Sequence, residues 1–376
     1  MVRWAVTSLL VLTVFQLGDA GRHGPKRHGR KAKTPTGQAL VKRVNDEGKW
    51  KAAYAPFFAK AKPEAIRQLM GVREDVPQVL ARDAARYPKA FAPPAVDYNI
   101  TDLPKNFDSR TAWPECADVI NSIQDQSLCG SCWAVSASTS LADRICIASK
   151  GKVKVSLSSI DLVSCCTECG YTCVGGYPHR AFKYIYDNGI VSGTNYTNPD
   201  GCKPYPFKPC EHTGGAFRSK YAQCYGRQPS PPKCEQKCSN SKYARSFEND
   251  KFYVSTWYNL NRDPVALQKE IMTNGPAVFT AMRMYEDFLY YRSGVYEHIA
   301  GRYFGLHAVR VIGWGEENDV PYWIVANSWN KYWGDNGFFK VRRGNNEVGM
   351  ESVIDVAIPD LQRSAKQEIK FQESKH

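Results

Sequence analysis

The sequence predicts a disulfide-rich α+β protein in which a helical half is followed by a strand-rich half, with a cleft between them. Three observations carry this reading. From Cys132 to Ser149, the residues Trp133, Val135, Ala137, Leu141 and Ile145 fall near helical spacing. From about residue 251, Val309–Ile312, Tyr322–Val325 and Phe338–Val341 carry strand-forming residues between glycine-rich turns. All 13 cysteines lie between Cys116 and Cys238, and in an oxidising compartment they imply bridges. An odd count leaves at least one thiol unpaired.

Taken in order, residues 1–20 read as a secretory signal. Arg3 precedes an apolar run from Trp4 to Leu17, and Gly18-Asp19-Ala20 supplies the small residues of a cleavage site. The run is shorter than the roughly 18 apolar residues a membrane span needs. The expected address is therefore the secretory pathway, lysosomal or extracellular, with no membrane span. Residues 21–37 form a Gly/Pro/basic arm expected to be disordered. Of the net charge of +13, a surplus of +10 falls within residues 21–100, which hold 17 Lys/Arg against 7 Asp/Glu. The rest of the chain is close to neutral, so nucleic acid is excluded as the expected partner.

Residues 38–70 show helical patterning, including Ala52-Ala53-Tyr54 and Glu64–Met70, interrupted by Pro56 and Pro63. Ala92-Pro93-Pro94-Ala95 reads as an extended linker and places a boundary near 95–103. Residues 150–250 are rich in Gly, Pro, Cys and Tyr and are expected to be loops held by disulfides. Asn99 and Asn195 head glycosylation sequons. No internal repeat is present.

The chemistry is concentrated in Gln126-Ser127-Leu128-Cys129-Gly130-Ser131-Cys132-Trp133, with His307 and Asn327 far downstream. A thiol, an imidazole and an orienting amide are the parts of a cysteine-nucleophile acyl-transfer site. A helix N-terminus would lower the Cys132 pKa, and an imidazolium at His307 would lower it further. Asn327 would hold the ring, and the Gln126 amide and the Cys132 N–H would donate to an oxyanion. A lone His or Asn is more often structural; their joint occurrence in this chain order reverses that. No cofactor or metal is called for. One rival treats Cys129 and Cys132 as a redox Cys-x-x-Cys of a disulfide oxidoreductase, and another treats Cys165, Cys166, Cys169 and Cys173 as zinc ligands. A third is an inactive homologue that only binds.

These segments resemble the papain family of cysteine peptidases. Asp161–Cys166, Cys173–Pro178, Gly201–Tyr205 and Ala326–Asn330 are similar to its cathepsin B-like branch. The resemblance implies a papain-like two-lobed fold, with a helical left lobe and a β-barrel-like right lobe. It implies a propeptide over 21–102 and a mature peptidase domain over 103–376. His307 lies 175 residues after Cys132, beyond the roughly 130–150 of the papain pattern, which implies an insertion. Residues 202–238 are its expected place, matching the branch's occluding loop. The implied disulfides are Cys116–Cys146, Cys129–Cys173, Cys165–Cys234, Cys166–Cys169, Cys202–Cys238 and Cys210–Cys224, which leave Cys132 free.

The implied substrate-binding residues are Gly130, Gly175, Gly176, Pro178, Ala308, Trp329 and Val353. His212, anchored by Asp125, matches the first of two loop histidines that hold a substrate's C-terminal carboxylate; Thr213 replaces the second. Endopeptidase action with weakened dipeptidyl carboxypeptidase action follows. Val353 replaces an acidic residue at the S2 floor, so apolar P2 residues are expected over Arg. Leu306 replaces a glycine and is expected to narrow the primed side. The expected partners are protein and peptide substrates, cystatin-type inhibitors, and the chain's own propeptide. The propeptide would lie reversed in the cleft and be released as acid protonates the carboxylates that pair with its basic residues.

Overall fold

The computed structural model describes residues 35–88, 102–212, 220–224, 226–260 and 262–364. The expected signal, most of the basic arm, the Ala92–Ala95 linker, Asn99 and Thr213 lie outside the described residues.

The N-terminal segment contains α1 (Gly37–Glu47), β1 (Trp50–Ala52), α2 (Pro56–Lys60), α3 (Pro63–Arg67) and α4 (Val76–Arg86). The helical patterning at Ala52-Ala53-Tyr54 thus gives way to a strand end. Trp50 and Lys51 pair with Gly294 and Ser293 of the neighbouring strand, and that pairing overrides a local helical preference. Pro56 and Pro63 each sit at the first turn of a short helix, where a missing N–H costs nothing.

The left lobe is built on α5 (Cys132–Ala148), which is buried along nearly its whole length. Trp133, Ala137, Leu141 and Ile145 pack with Ile160, Leu162, Phe182 and Ile185. Two helices, α6 (Ser159–Cys165) and α7 (Pro178–Asn188), lie within the region expected to be loops. A Ser158 side-chain cap starts the first and a proline starts the second. The disulfide-rich composition masked their patterning.

The right lobe is an open nine-stranded sheet, curved but not closed, in the order β1-β5-β8-β7-β6-β4-β9-β3, with β2 (Phe107–Asp108) also paired to β6. The other strands are β3 (Tyr253–Asn259), β4 (Ala277–Tyr285), β5 (Tyr291–Tyr296), β6 (Tyr303–Glu317), β7 (Val320–Ala326), β8 (Phe338–Arg342) and β9 (Ile354–Asp360). Helix α8 (Pro264–Asn274), capped by Asp263, joins β3 to β4. The core of this lobe gathers Phe279, Phe288, Trp314, Trp323 and Phe339 together with Leu40, Val44, Trp50 and Phe58 of the N-terminal segment. That segment is therefore part of the folded core.

Six disulfides are present: Cys116–Cys146, Cys129–Cys173, Cys165–Cys234, Cys166–Cys169, Cys202–Cys238 and Cys210–Cys224. Cys132 is free and buried. Two buried ion pairs tie the lobes together. Arg310 of β6 meets Asp143 of α5 at 2.6 Å, and Arg144 of α5 meets Glu270 of α8 at 2.7 Å. Among the described residues no helix is long and apolar enough to cross a membrane.

Candidate active site

Cys132 opens α5, directly after the disulfide-bonded Cys129, and its sulfur accepts a hydrogen bond from the Ala308 N–H at 3.4 Å. His307 precedes Ala308 on β6, so strand and helix meet at Cys132 from opposite lobes. His307 Nε2 shares a 2.8 Å hydrogen bond with Asn327 Oδ1. An amide oxygen only accepts, so Nε2 carries the proton and the neutral ring's Nδ1 is left as a base. The Trp329 ring lies 5.3 Å from the His307 ring and 5.9 Å from the His212 ring.

Gln126 is held by groups the sequence did not single out. Its side-chain oxygen accepts from Ser328 Oγ at 2.6 Å, its backbone N–H bonds Ser328 O, and its carbonyl accepts from Tyr205 Oη. Ser328 lies within the quoted Ala-Asn-Ser-Trp motif, but only tertiary contact reveals that it aims the glutamine. Gln126 Nε2 is thereby free to donate to Leu69 O at 2.9 Å as well as to Cys129 O.

Leu69 belongs to the N-terminal segment, which fills the cleft. Gly71 crosses at the nucleophile, and its carbonyl accepts from Gly176 N at 3.0 Å. Val72 N donates to Leu306 O at 3.2 Å. Only glycine fits at Gly176, where a Cβ would lie 2.5 Å from the Cys169 carbonyl oxygen and 2.7 Å from the Trp133 ring. Tyr177 Oη donates to Asp75 Oδ1, and Asp83 is gripped by His179 and Arg180 at the start of α7. Burial would raise the Asp83 pKa, but the hydrogen bonds and charges of His179 and Arg180 outweigh it and hold the carboxyl well below the usual carboxylate range.

This burial sets the protonation of the site. Desolvation pushes the Cys132 thiol up to about 12, despite the N–H groups of Ala308 and Gly71. It pushes His307 down to about 4, against the Asn327 hydrogen bond. With the segment in place, burial disfavours the charged form of both groups, against the ion pair expected from the motif.

The remaining residues are placed as follows. Gly130 receives the Cys173 carbonyl on its N–H, and Gly175 abuts Gly71. Pro178 is buried at the first turn of α7, and Val353 is 7% exposed, its carbonyl bonded to Thr280 N. Leu306 packs with Val72 and Tyr177, on the side towards which the segment leaves Gly71 for α4. His212 is buried and meets Asp125 Oδ1 at 3.2 Å. Asp125 also accepts from Cys210 N and Asn330 Nδ2, pinning the loop. Cys210, His212 and Cys224 lie close together, but both sulfurs are bridged to each other and supply no thiolate for a metal. Likewise Cys129 bonds Cys173, so the Cys129/Cys132 redox pair is not formed, and Cys165, Cys166, Cys169 and Cys173 are all consumed in bridges. Asn195 is partly exposed, with its side-chain oxygen bonded by Thr197.

Of the basic residues of this segment, Lys49 pairs with Glu297 of the peptidase domain at 3.0 Å. The Asp83 clasp has the opposite polarity.

Residues 103–358 match the model of the papain family cysteine protease. The chain is 49% identical over 260 residues to "Cathepsin B-like cysteine proteinase 6" of Caenorhabditis elegans, covering 69% of this chain and 68% of that protein. It is 38% identical over 351 residues to "Cathepsin B-like cysteine proteinase" of Schistosoma japonicum, covering 92% and 97%. Among solved structures, "proCathepsin B S9 from Trypanosoma congolense" aligns with a TM-score of 0.69 at 32% identity, over 86% of this chain and 98% of that one. A procathepsin L 3 from the Tenebrio molitor larval midgut shares the fold at 20% identity and a TM-score of 0.56, over 84% and 85% of the two chains. Matched in this way over most of its length, and with its N-terminal segment lying in the cleft beside Cys132, the chain belongs to the papain family, as a cathepsin B-like cysteine peptidase folded with its inhibitory propeptide in place.

Proposed function

We propose that Cys132 is the nucleophile, His307 its acid–base partner and Asn327 the group that orients the ring. Once the propeptide leaves, water and a substrate dipole replace the apolar cover, and the proton moves from Cys132 to His307 Nδ1. The thiolate attacks the scissile carbonyl carbon, and Gln126 Nε2 with the Cys132 N–H receives the developing oxyanion. His307 returns the proton to the leaving amine as the C–N bond breaks, then serves as base for the water that hydrolyses the thioester.

The observation that best supports this is the Leu69 carbonyl 2.9 Å from Gln126 Nε2, beside a backbone crossing at Cys132: a peptide oxygen occupies the position an oxyanion would take. The test is Cys132→Ser in processed enzyme. Turnover should fall to background, and normal cleavage would end the assignment.

The finer reading is an endopeptidase. His212, held by Asp125, is the first carboxylate-binding histidine, while Thr213 offers at most a neutral hydroxyl. A peptide with a free C-terminal acid should therefore have little advantage over its amide. Val353 as an apolar S2 floor disfavours a buried guanidinium, so Phe-Arg substrates should outpace Arg-Arg ones. A mature boundary near residue 103, a secretory address, glycosylation at Asn99 and Asn195, and cystatin-type inhibitors belong to the same reading.

A further inference from the structure

The groups that clasp Asp83 belong to the peptidase domain and remain when the propeptide is cut away. We propose that His179 and Arg180 form a subsite for an acidic substrate side chain, Glu or Asp, on the N-terminal side of the scissile bond; this rests on the peptidase reading above.

One short stretch of the peptidase domain, 176–180, follows the propeptide from its crossing at Cys132 to this point. Gly176 N bonds Gly71 O, Tyr177 Oη bonds Asp75, and His179 with Arg180 binds Asp83. A chain leaving Cys132 along Gly176 is therefore led to the clasp. The clasp is built for a carboxylate. His179 Nε2 lies 2.9 Å from Asp83 Oδ2, while Arg180 donates from Nε to Oδ2 at 2.7 Å and from Nη2 to Oδ1 at 3.0 Å. This is the planar two-point grip that an arginine fork gives a carboxylate and not a neutral amide. His179 is only 3% exposed, so its ring is aimed by packing. Both residues lie in the first turn of the eleven-residue α7, whose N-terminus adds partial positive charge.

Neighbouring charges leave the fork available. Glu168 engages Arg180 through its backbone carbonyl on Nη1, not on the Nε and Nη2 atoms that hold Asp83. Lys183, one turn on, is paired with Asp187 and lies 3.9 Å from Glu168. Buried Asp355 also interacts electrostatically with His179. Arg86 and Tyr87, which also line this 210 Å³ recess, belong to the propeptide and leave with it. Loss of Asp83 strips directional donors of their acceptor at a partly buried site, a cost that an incoming carboxylate removes.

The test uses processed enzyme and matched peptides carrying Glu or Gln at one of the second to fifth positions before the cut. At one position kcat/KM should favour Glu by about tenfold, the scale of one charge-assisted hydrogen bond. That ratio should collapse towards one in Arg180→Gln. If that variant fails to fold, Arg180→Lys keeps the charge without the fork and should still lower the ratio. Equal turnover of Glu and Gln peptides at every position overturns the proposal. A preparation that cut none of the peptides would contradict the peptidase reading instead. Titrating the same pairs against it would then read the subsite directly, with tenfold tighter binding of one Glu peptide supporting it and equal affinities overturning it.

Discussion

Replacing Gly71 by alanine tests how the propeptide silences the enzyme. A Cβ at this position would lie 2.3 Å from the Gly130 carbonyl oxygen, 2.5 Å from its carbon and 2.8 Å from Cys132 Sγ. Two of these are backbone atoms in a loop braced by the Cys129–Cys173 bridge, so the propeptide must yield. Reaching an ordinary contact of 3.4 Å requires a lift of about 1.1 Å. That shift breaks the 3.0 Å Gly176–Gly71 and 3.2 Å Val72–Leu306 hydrogen bonds and strains the Leu69–Gln126 contact. At about 1 kcal/mol each, losing two or three costs ~2–3 kcal/mol, a ~30- to 150-fold rise in the open population. The readout is the rate at which an epoxide peptide alkylates Cys132 in the intact zymogen, which should rise by that factor while the melting temperature barely moves. Equal rates for Gly71→Ala and wild type would refute the idea that this close crossing carries the inhibition.

Three further outcomes are expected. In the zymogen, Cys132 is below its raised pKa of about 12 and His307 above its lowered value of about 4, so from pH 5 to 8 both are neutral and thiol labelling should be slow; removing the propeptide should make labelling fast and shift its apparent pKa down by several units, read from the pH–rate profile. Because the Asp83 pKa is depressed, its contribution to docking is present above the usual carboxylate value and is lost only as pH falls below it; Asp83→Asn should therefore speed self-activation at pH 5 by about tenfold or more, followed by gel and activity time courses. Arg310→Ala would strand Asp143, a buried carboxyl already pushed up to about 6 by desolvation against the pull of Arg310, and should cost ~3–5 kcal/mol of stability by calorimetry.

Much of the architecture was legible because it depends on local chemistry. The apolar spacing after Cys132 requires a helix whatever surrounds it, and β6, β7 and β8 contain the three strand segments read from β-branched and aromatic residues. The odd cysteine count by itself demanded an unpaired thiol. Helices α6 and α7 were hidden because cysteine, glycine and tyrosine dominate their surroundings, and the strand at Trp50 because its partner lies more than 240 residues away.

What the amino-acid order determined by itself was the inventory: a thiol at a helix start, an imidazole and an amide in strand segments, and a basic leading segment set apart from a cysteine-rich body. Tertiary structure alone decided which groups meet and in what state. Ser328 reaches Gln126 across 202 positions, His179 reaches Asp83 across 96, and the passage of Leu69–Val72 over Cys132 buries a motif that reads as an ion pair, so that desolvation disfavours both charged forms. The physical reason is that propensity acts over a few residues, whereas burial and charge act through space, so protonation follows from what the folded chain brings near, not from what lies beside it in sequence.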